Sequence, residues 1–309
     1  MRIIRDLHQA KLGRETVLTI GAFDGLHLGH QQLLRQLIRR ARETERISAV
    51  LTFDPLPRTV LDPASNAICL TTTDDKIEVL EQWGLDVLVI LPFTRELALT
   101  SARSFVQMLC DHLHMSELWV GWNFALGRGR TGNVSALTRL GRDMGFQLQV
   151  IEPVRDGEVV ISSTQIRNLI AAGRVREVAE MLGRYHQLRG FVVPGKGRGK
   201  QLGFPTANLQ VAEHCAVPST GVYAAYATIR SKRYAAAVNI GFRPTFGAGE
   251  RNVEVHLLDF DGDLYGEEMG VQFVERLRTE RRFPDADALR VQIEKDVTRA
   301  REILCDASL

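Results

Sequence analysis

The sequence predicts an α/β domain built on a parallel sheet, followed by a small antiparallel β-barrel with a terminal helix. Two observations predict this α/β plus β architecture. In the first half, apolar β-type runs alternate with amphipathic helical runs, which is the pattern of a parallel sheet covered by helices. Beyond residue 185, short β-type runs follow one another closely between Gly, Pro and Asn, as is typical of a small barrel. A chain of 309 residues is long enough to bury two such cores.

The first half contains five predicted strands with helices between them. Leu33, Leu34 and Leu37 share one face of the first helical run, and Ser101 is the expected N-cap of a later one. Parallel strands place ligands at their carboxyl ends, so we expect functional residues there. The predicted strands are 17–20, 48–53, 87–91, 118–121 and 147–151, and the predicted helices are 31–42, 74–82, 101–113, 134–144, 162–172 and 175–182.

The second half contains five further predicted strands and a closing helix over 286–304. Because the pattern changes between residues 182 and 185, we predict a first domain over 1–184 and a second over 185–309. The predicted strands of the second domain are 187–193, 221–229, 232–239, 252–258 and 268–277.

Composition and charge exclude several classes of protein. A net charge of +2 argues against a dedicated nucleic-acid surface. No apolar run is long enough to cross a membrane. Cys69, Cys110, Cys215 and Cys305 form no C-x-x-C pair, which fits a reduced, cytoplasmic setting. We therefore expect small phosphorylated molecules as partners, with no nucleic acid and no membrane, and a monomer or weak homo-oligomer.

Residues 21–30 read Gly-Ala-Phe-Asp-Gly-Leu-His-Leu-Gly-His and connect the first predicted strand to the first predicted helix. A helix N-terminus presents free N–H groups and a positive dipole end, which favour an anion. His27 and His30 add donors for phosphate oxygens, a combination that suits nucleotidyl transfer. A zinc site is the other interpretation, but no third ligand lies at an obvious spacing. The candidate catalytic residues here are His27 and His30, and the candidate binding residues are Gly21, Phe23, Asp24 and Gly25.

Residues 121–132 follow the fourth predicted strand and read Gly-Trp-Asn-Phe-Ala-Leu-Gly-Arg-Gly-Arg-Thr-Gly. Asn123 is a candidate ligand for a ribose, base or phosphate, and Arg128 and Arg130 are candidate phosphate ligands. The segment also contains G-x-G-x-x-G, but that motif indicates a dinucleotide fold only when it follows the first strand.

Residues 162–167, Ser-Ser-Thr-Gln-Ile-Arg, open a predicted helix. One serine is expected to cap this helix, because a hydroxyl accepts from the free N–H groups of the first turn. The same N-terminus makes Ser163, Thr164 and Arg167 candidate triphosphate ligands.

A second phosphate-binding signal lies in the predicted barrel. Residues 195–208 read Gly-Lys-Gly-Arg-Gly-Lys-Gln-Leu-Gly-Phe-Pro-Thr-Ala-Asn, a basic loop whose backbone N–H groups can cradle phosphates. The loop lacks the G-K-[ST] ending of a P-loop. Further along, the strand over 252–258 places Glu254 and His256 on one face. By itself, this alternation is typical of a surface carboxylate.

Together these motifs are similar to those of the bacterial bifunctional riboflavin kinase/FAD synthetase family, over nearly the whole chain. Residues 21–30, 121–132 and 162–167 resemble its FMN adenylyltransferase half, a Rossmann-like nucleotidyltransferase domain. Phe-Pro-Thr-Ala-Asn at 204–208 resembles the riboflavin kinase signature, and Val-Asn-Ile-Gly-Phe-Arg-Pro-Thr-Phe at 238–246 matches the same half. The resemblance implies that ATP and Mg²⁺ convert riboflavin to FMN in the barrel. It also implies that a second ATP converts FMN to FAD and pyrophosphate in the first domain.

The resemblance further implies residue roles. Glu254 is expected to accept the proton of the ribityl hydroxyl, and Thr206 and Asn208 are expected to be the metal ligands, supplying oxygens to Mg²⁺. His27 and His30 are expected to stabilise the transferring phosphoryl group. The barrel residues expected to contact nucleotide or flavin are Gly195, Lys196, Gly197, Gly203, Pro205, Asn239 and Arg276.

Three positions depart from the family pattern. Leu56 stands where the family usually has His or Gln, Leu126 replaces a more usual Phe, and Trp122 is atypical. The missing polar group at Leu56 predicts slower or rearranged adenylyl transfer, so a monofunctional riboflavin kinase with an impaired adenylyltransferase domain is a second interpretation. A third is an NAD-dependent oxidoreductase, based on Gly-Arg-Gly-Arg-Thr-Gly at 127–132, and a fourth is a non-enzymatic flavin-binding or RNA-binding regulator.

Overall fold

The structure is a computed structural model that describes residues 1–62, 68–195, 198–242 and 251–307. Its contacts divide the chain into two compact units. The first unit comprises Met1–Ala67 and Thr71–Ser162, and the second comprises Ile68–Leu70 and Ser163–Leu309. Within the described ranges, no helix is both long and apolar enough to cross a membrane.

The first unit is an α/β fold. In chain order it contains β1 (Arg2–Ile4), β2 (Thr16–Ile20), α1 (Leu28–Glu43), β3 (Ile47–Phe53), α2 (Pro57–Leu61), α3 (Thr73–Gln82), β4 (Val87–Leu91), α4 (Arg95–Leu99), α5 (Ala102–Leu113), β5 (Met115–Gly121), β6 (Ala125–Leu126), β7 (Gly132–Asn133), α6 (Val134–Met144), β8 (Gln147–Ile151), β9 (Arg155–Asp156) and β10 (Val159–Val160).

A six-stranded sheet in the order β1-β4-β3-β2-β5-β8 organises this unit, and every pairing in it is parallel. Consecutive residues of β2 alternate between the two faces, so that Leu18 joins one apolar cluster and Val17 joins the other. Because helices cover both faces of the sheet, every residue of β2 and β4 is buried. The carboxyl ends of these strands share one edge of the sheet, where the site described below lies.

The second unit is built around a closed barrel. In chain order it contains α7 (Ser163–Ala172), α8 (Val175–Leu182), β11 (His186–Val193), α9 (Arg198–Gln201), β12 (Ala207–Val211), β13 (Gly221–Ile229), β14 (Lys232–Phe242), β15 (Arg251–Leu257), β16 (Glu268–Arg278) and α10 (Ala286–Asp306). The barrel strands follow the order β11-β12-β15-β14-β13-β16, and every pairing is antiparallel.

Large side chains fill the barrel interior. Tyr223 and Phe273 are fully buried there and meet edge to face, with ring centroids 5.5 Å apart. Alternate residues of β15 point outward, because Val253 and Val255 belong to the interior cluster. On the outside, α10 packs against β13, β14 and β16, and Arg278 donates to the Asp296 carboxylate at 2.9 Å.

The predicted fold class is confirmed, and most predicted elements differ from the observed ones only at their ends. Ser101 is the N-cap of α5, and its hydroxyl accepts from the Ser104 N–H at 3.1 Å. Six strands were not predicted: β1, β12 and the two-residue strands β6, β7, β9 and β10. β1 is only three residues long, too short to show a period, and the first two residues of β12 belong to the segment 195–208 that was interpreted as a binding loop.

The helices α7 and α8 pack with the second unit. The side chain of Val175 on α8 is fully buried in the barrel's apolar cluster. The predicted domains, 1–184 and 185–309, assign both helices to the first functional domain instead, and that assignment stays a prediction.

A buried carboxylate joins β5 to two neighbouring segments. Glu117 accepts hydrogen bonds from Arg40 Nε at 2.9 Å, from Arg46 Nη1 at 2.7 Å and from Trp119 Nε1 at 3.0 Å. Burial raises the pKa of Glu117, but the hydrogen bonds from Arg40 and Trp119 and the two guanidinium charges lower it more, so its pKa lies below the ordinary value.

We expect Glu117→Gln to lower the free energy of unfolding by about 2 kcal/mol at neutral pH. Since the folded-state pKa is lowered, the carboxylate's contribution is fully present above the unfolded-state pKa of about 4.3. It is lost as the pH falls through the folded-state pKa. In urea unfolding, the difference between wild type and variant should therefore shrink on acidification. Glu15→Gln removes the exposed partner of Arg46 and is the control, with an expected loss below about 1 kcal/mol. A Glu117→Gln deficit that stays constant with pH would contradict this account.

Candidate active sites

The connection between β2 and α1 is a tight turn with buried side chains. Phe23, Gly25 and Leu26 have φ angles of 46°, 85° and 44°. Residues other than glycine rarely adopt positive φ, and such strained backbone is concentrated at functional sites. Asp24 is buried, and its Oδ1 accepts a hydrogen bond from the Thr71 N–H at 3.2 Å. These contacts hold the turn in one conformation.

The imidazole rings of His27 and His30 stack at the start of α1. Their centroids are 3.7 Å apart with an interplanar angle of 23°, and the Phe23 ring meets His30 edge to face at 5.2 Å. A Cβ atom at Gly29 would lie 3.2 Å from the His27 ring, so the glycine allows that ring to fold over the helix start. The first N–H groups of a helix have no intrahelical partner. The histidines and these N–H groups together form a site suited to phosphate oxygens.

Lys76 belongs to this site and was missed by the sequence analysis. Its side chain on α3 is buried, and Nζ donates to the Ala22 carbonyl at 2.8 Å and to the Thr52 hydroxyl at 3.2 Å. The ammonium therefore fixes the backbone of the turn and adds positive charge next to it. No local pattern distinguishes Lys76 from a surface lysine of an amphipathic helix.

A cavity of about 660 Å³ opens at the carboxyl ends of the central strands. Gly21 of the histidine turn lines it, together with the aromatic side chains of Phe53, Phe93 and Phe124. Phe53 and Phe93 meet edge to face at 5.3 Å. The size and aromatic lining fit a planar ring system, and the histidine turn lies at its border.

The segment after β5 forms a further wall of this cavity. Asn123 and Arg130 line it, and Arg130 Nη2 donates to the Asn123 carbonyl at 3.3 Å. Arg128 is exposed in the same loop. Gly127 and Gly129 lie in an irregular connection between β6 and β7, not at the turn from the first strand into a helix. The context that a dinucleotide fingerprint requires is therefore missing from this segment.

The three positions that depart from the family pattern all lie in the first unit. Leu126 is buried in the apolar cluster and lines the cavity, so it keeps the apolar character of the usual Phe. Leu56 precedes α2 as its N-cap residue, and Trp122 is 51% exposed.

The predicted ligands at residues 163–167 begin α7 in the second unit. Ser163 is the first residue of this helix, and Thr164 is exposed. Arg167 Nε donates to the Ile68 carbonyl at 2.7 Å, and the side chain lines a cavity of about 720 Å³ in that unit. That these residues bind the same nucleotide as the histidine turn stays a prediction.

The barrel brings three predicted residues into one row. Glu254 on β15 is paired with Asn208 on β12 and with Asn239 on β14. Paired residues of neighbouring strands project from the same face, here the outer face. Asn252 on the same strand donates from Nδ2 to Glu254 Oε1 at 2.8 Å and so orients the carboxylate. Asn252 was not predicted, although its position two residues before Glu254 places it on the same face.

The binding loop is tied to this row at both ends. Pro205 accepts at its carbonyl from His256 Nδ1 at 2.8 Å. A Cβ atom at Gly195 would lie 1.8 Å from Asn208 Nδ2, so only glycine permits this approach. Thr206 is half-buried two residues before Asn208, and Gly203 has a φ of 87°. The predicted ligands Lys196 and Gly197 lie outside the described residues.

Arg276 has a different environment from the other predicted barrel residues. Its Nη1 donates to the Ala172 carbonyl at 3.3 Å and its Nη2 to the Thr220 carbonyl at 2.5 Å. The guanidinium also lies 5.9 Å from the Tyr223 ring centroid. These contacts connect the end of α7 to the barrel, and β16 is three strands away from β15 in the barrel order.

The donor chemistry of the barrel row suits a hard cation with few protein ligands. Asn208 is buried and Thr206 half-buried, and both side chains carry a neutral oxygen. Mg²⁺ typically takes one or two protein oxygens and completes its shell with phosphates and water. Across the described residues, no group of three or more His, Cys, Asp or Glu is placed to hold a metal ion.

Both halves of the chain match known families. Residues 9–165 match the FAD synthetase family, and residues 182–304 match the riboflavin kinase family.

Relatives of known description match over nearly the full length. A bifunctional riboflavin kinase/FMN adenylyltransferase of Pseudomonas fluorescens is 38% identical and covers 98% of both chains. The protein of the same description from Escherichia coli K12 is 34% identical and covers 98% of this chain and 97% of its own. Among solved structures, one described as a macrolide-efflux protein from Streptococcus pneumoniae has a TM-score of 0.90, 28% identity and 99% coverage of both chains.

Proposed function

This chain belongs to the bifunctional riboflavin kinase/FMN adenylyltransferase family, and from that premise we propose which residues perform each of its two reactions. The enzyme phosphorylates riboflavin to FMN and joins FMN to AMP, forming FAD and pyrophosphate. The main support for this proposal is that each unit has its own polar site. The first unit has the stacked histidines at the start of α1, and the second has the row Asn208–Glu254–Asn239. Neither a monofunctional kinase nor an oxidoreductase has such support.

In adenylyl transfer, a phosphate oxygen of FMN attacks the α-phosphorus of ATP and pyrophosphate leaves. His27 and His30 donate to the phosphate oxygens as negative charge develops on them, and the N-terminus of α1 adds its dipole. Lys76 holds the turn through the Ala22 carbonyl. The aromatic cavity takes the flavin ring, with Phe53 and Phe93 against its faces or edges. Other candidate nucleotide ligands are Gly21, Phe23, Asp24, Gly25, Asn123, Arg128, Arg130, Ser163, Thr164 and Arg167.

In the kinase reaction, the ribityl hydroxyl attacks the γ-phosphorus of a second ATP. Glu254 accepts the hydroxyl proton, and Asn252 keeps the carboxylate oriented through its 2.8 Å hydrogen bond. Phosphoryl transfer depends mainly on positioning, so a base fixed on a strand between two partners suits it. His256 positions the binding loop through the Pro205 carbonyl.

Thr206 and Asn208 would hold Mg²⁺ in this site. Their oxygens and their burial fit a cation that keeps waters and phosphates in its shell. When bound, the cation would neutralise charge on the ATP phosphates. The proposal also includes a monomer or weak homo-oligomer and a cytoplasmic setting, and the four cysteines present as thiols agree with that setting.

A time course tests the two-step assignment. Purified protein is incubated with riboflavin, excess ATP and Mg²⁺, and the three flavins are separated chromatographically. We expect FMN to rise first and FAD to follow. If FMN accumulates without FAD, the departures at Leu56, Trp122 and Leu126 have silenced adenylyl transfer. No conversion would overturn the proposal.

A further inference from the structure

Two thiols of the second unit lie next to each other although they are far apart in sequence. The Sγ atoms of Cys69 and Cys215 are 4.0 Å apart. The two residues form an isolated parallel bridge. The Cys69 N–H donates to the His214 carbonyl at 2.6 Å, and the Ala216 N–H donates to the Cys69 carbonyl at 2.9 Å. The backbone is therefore already held on both sides of the pair.

This geometry is compatible with a disulfide. Neighbouring residues of paired strands are about 4.8 Å apart, and disulfides span Cα separations of about 4.4–6.8 Å. Closing the bond requires the sulfurs to approach by about 2 Å, which rotation about χ1 together with a small shift of the Cys69 backbone supplies without breaking the two backbone hydrogen bonds.

The pair is also accessible. Both cysteines are only half-buried, and Cys215 lines the cavity of about 720 Å³ in the second unit. Arg167 and Arg251 line the same cavity together with the carboxylate of Glu213. The two guanidinium groups attract an anionic reagent to this cavity. By contrast, burial raises the pKa of the Cys110 thiol, which disfavours its reaction.

We propose that Cys69 and Cys215 form a reversible intramolecular disulfide in exchange with a small anionic disulfide of the glutathione type. One thiolate attacks the reagent, forms a mixed disulfide and releases one reduced thiol. The second thiolate attacks the protein-side sulfur, forms the Cys69–Cys215 bond and releases the other thiol. Two protein thiols thus lose two electrons and two protons, and the reagent becomes two thiols. The bond links the 68–70 segment covalently to the 214–216 segment within the second unit.

The disulfide can affect FAD formation through Arg167, and this step rests on the proposed function of Arg167 as a nucleotide ligand. The Ile68 carbonyl that accepts from Arg167 directly precedes Cys69. Drawing the Cys69 sulfur toward Cys215 changes this carbonyl's position and with it the guanidinium. A guanidinium that loses one charge-assisted contact with the ATP phosphates raises the KM for ATP in FAD formation by about 10- to 100-fold.

The test uses the full-length Cys110→Ser/Cys305→Ser variant, in which Cys69 and Cys215 are the remaining thiols. After incubation with oxidised glutathione, free thiols are alkylated and the intact mass is measured. We expect both thiols to be lost with a decrease of about two mass units and no retained glutathione. Peptide mapping should find Cys69 linked to Cys215, and dithiothreitol should reverse the link.

A third substitution, Cys69→Ser, provides the matched control, in which only a mixed disulfide at Cys215 is possible. The proposal is overturned if the two-thiol protein keeps both thiols alkylatable, holds a glutathione on each cysteine, or forms only links between molecules.

A kinetic comparison tests the route through Arg167. The KM for ATP in the conversion of FMN to FAD is measured for the oxidised and reduced two-thiol protein. We expect the KM for ATP to rise when the two-thiol protein is oxidised and to stay unchanged in the Cys69→Ser control. An unchanged KM in a linked protein refutes this route. Absence of FAD formation in both states refutes the proposed function instead, while the mapping still decides on the disulfide.

Discussion

Glu254→Gln should reduce FMN formation by at least about 100-fold and leave the conversion of FMN to FAD unchanged. The amide preserves the shape of the side chain but cannot accept the proton of the ribityl hydroxyl. The hydrogen bond from Asn252 and the pairing of β15 with β12 and β14 do not require the negative charge. Both rates are measured on the same preparation, the first from riboflavin and the second from added FMN.

Glu268→Gln is the matched control for this experiment. Glu268 is an exposed carboxylate of the same barrel, on β16, and its substitution should leave both rates within about two-fold of wild type, as is usual for surface changes. An unchanged unfolding midpoint shows that each variant is folded. Kinase activity that survives Glu254→Gln would remove Glu254 from the role of base. Loss of both reactions in a folded variant would overturn the two-site proposal.

His30→Ala should have the opposite effect and reduce FAD formation by about 100-fold or more, while FMN formation continues at the wild-type rate. The imidazole lies at the N-terminus of α1, where charge develops on the transferring phosphoryl group. Because the His27 and His30 rings stack at 3.7 Å, we expect them to act as a unit. The double variant His27→Ala/His30→Ala should therefore lose little more activity than either single variant.

His8→Ala is the control for the histidine pair. His8 is an exposed imidazole of the same unit, and its substitution should leave FAD formation unchanged. If His30→Ala retains FAD formation within about two-fold of wild type in a folded protein, the histidine turn is not the centre of adenylyl transfer. Losses of the two single variants that simply add in the double variant would show that the rings act independently.

Much of the fold could be predicted because it depends on patterns within single elements. The limits of β4, α6, β8, α8 and β13 coincide with the predicted ones, since each has a clear period and a clear stop signal. β12 could not be predicted because it is short, begins within the last two residues of the motif at 195–208, and takes its strand conformation from pairing with β11 and β15.

The candidate site shows the same division. The sequence identifies the histidine turn, because a strand, a glycine turn and a helix follow one another along the chain. It does not identify Lys76, because the role of this lysine depends on its hydrogen bond to the Ala22 carbonyl, more than fifty residues earlier in the chain. It predicts that Arg276 contacts a ligand, and it gives no sign of the contacts that Arg276 makes with the Ala172 and Thr220 carbonyls.

By itself, the sequence determined the two-part architecture, the motifs of both reactions and the face of each strand, since these follow from local periodicity and chemistry. Only the tertiary structure decided that Asn208, Glu254 and Asn239 form one row, and that Cys69 lies beside Cys215. The barrel order β12-β15-β14 and the bridge at Cys69 bring together residues that are far apart along the chain. Such juxtapositions arise from the packing of whole elements, and no pattern within a single element records them.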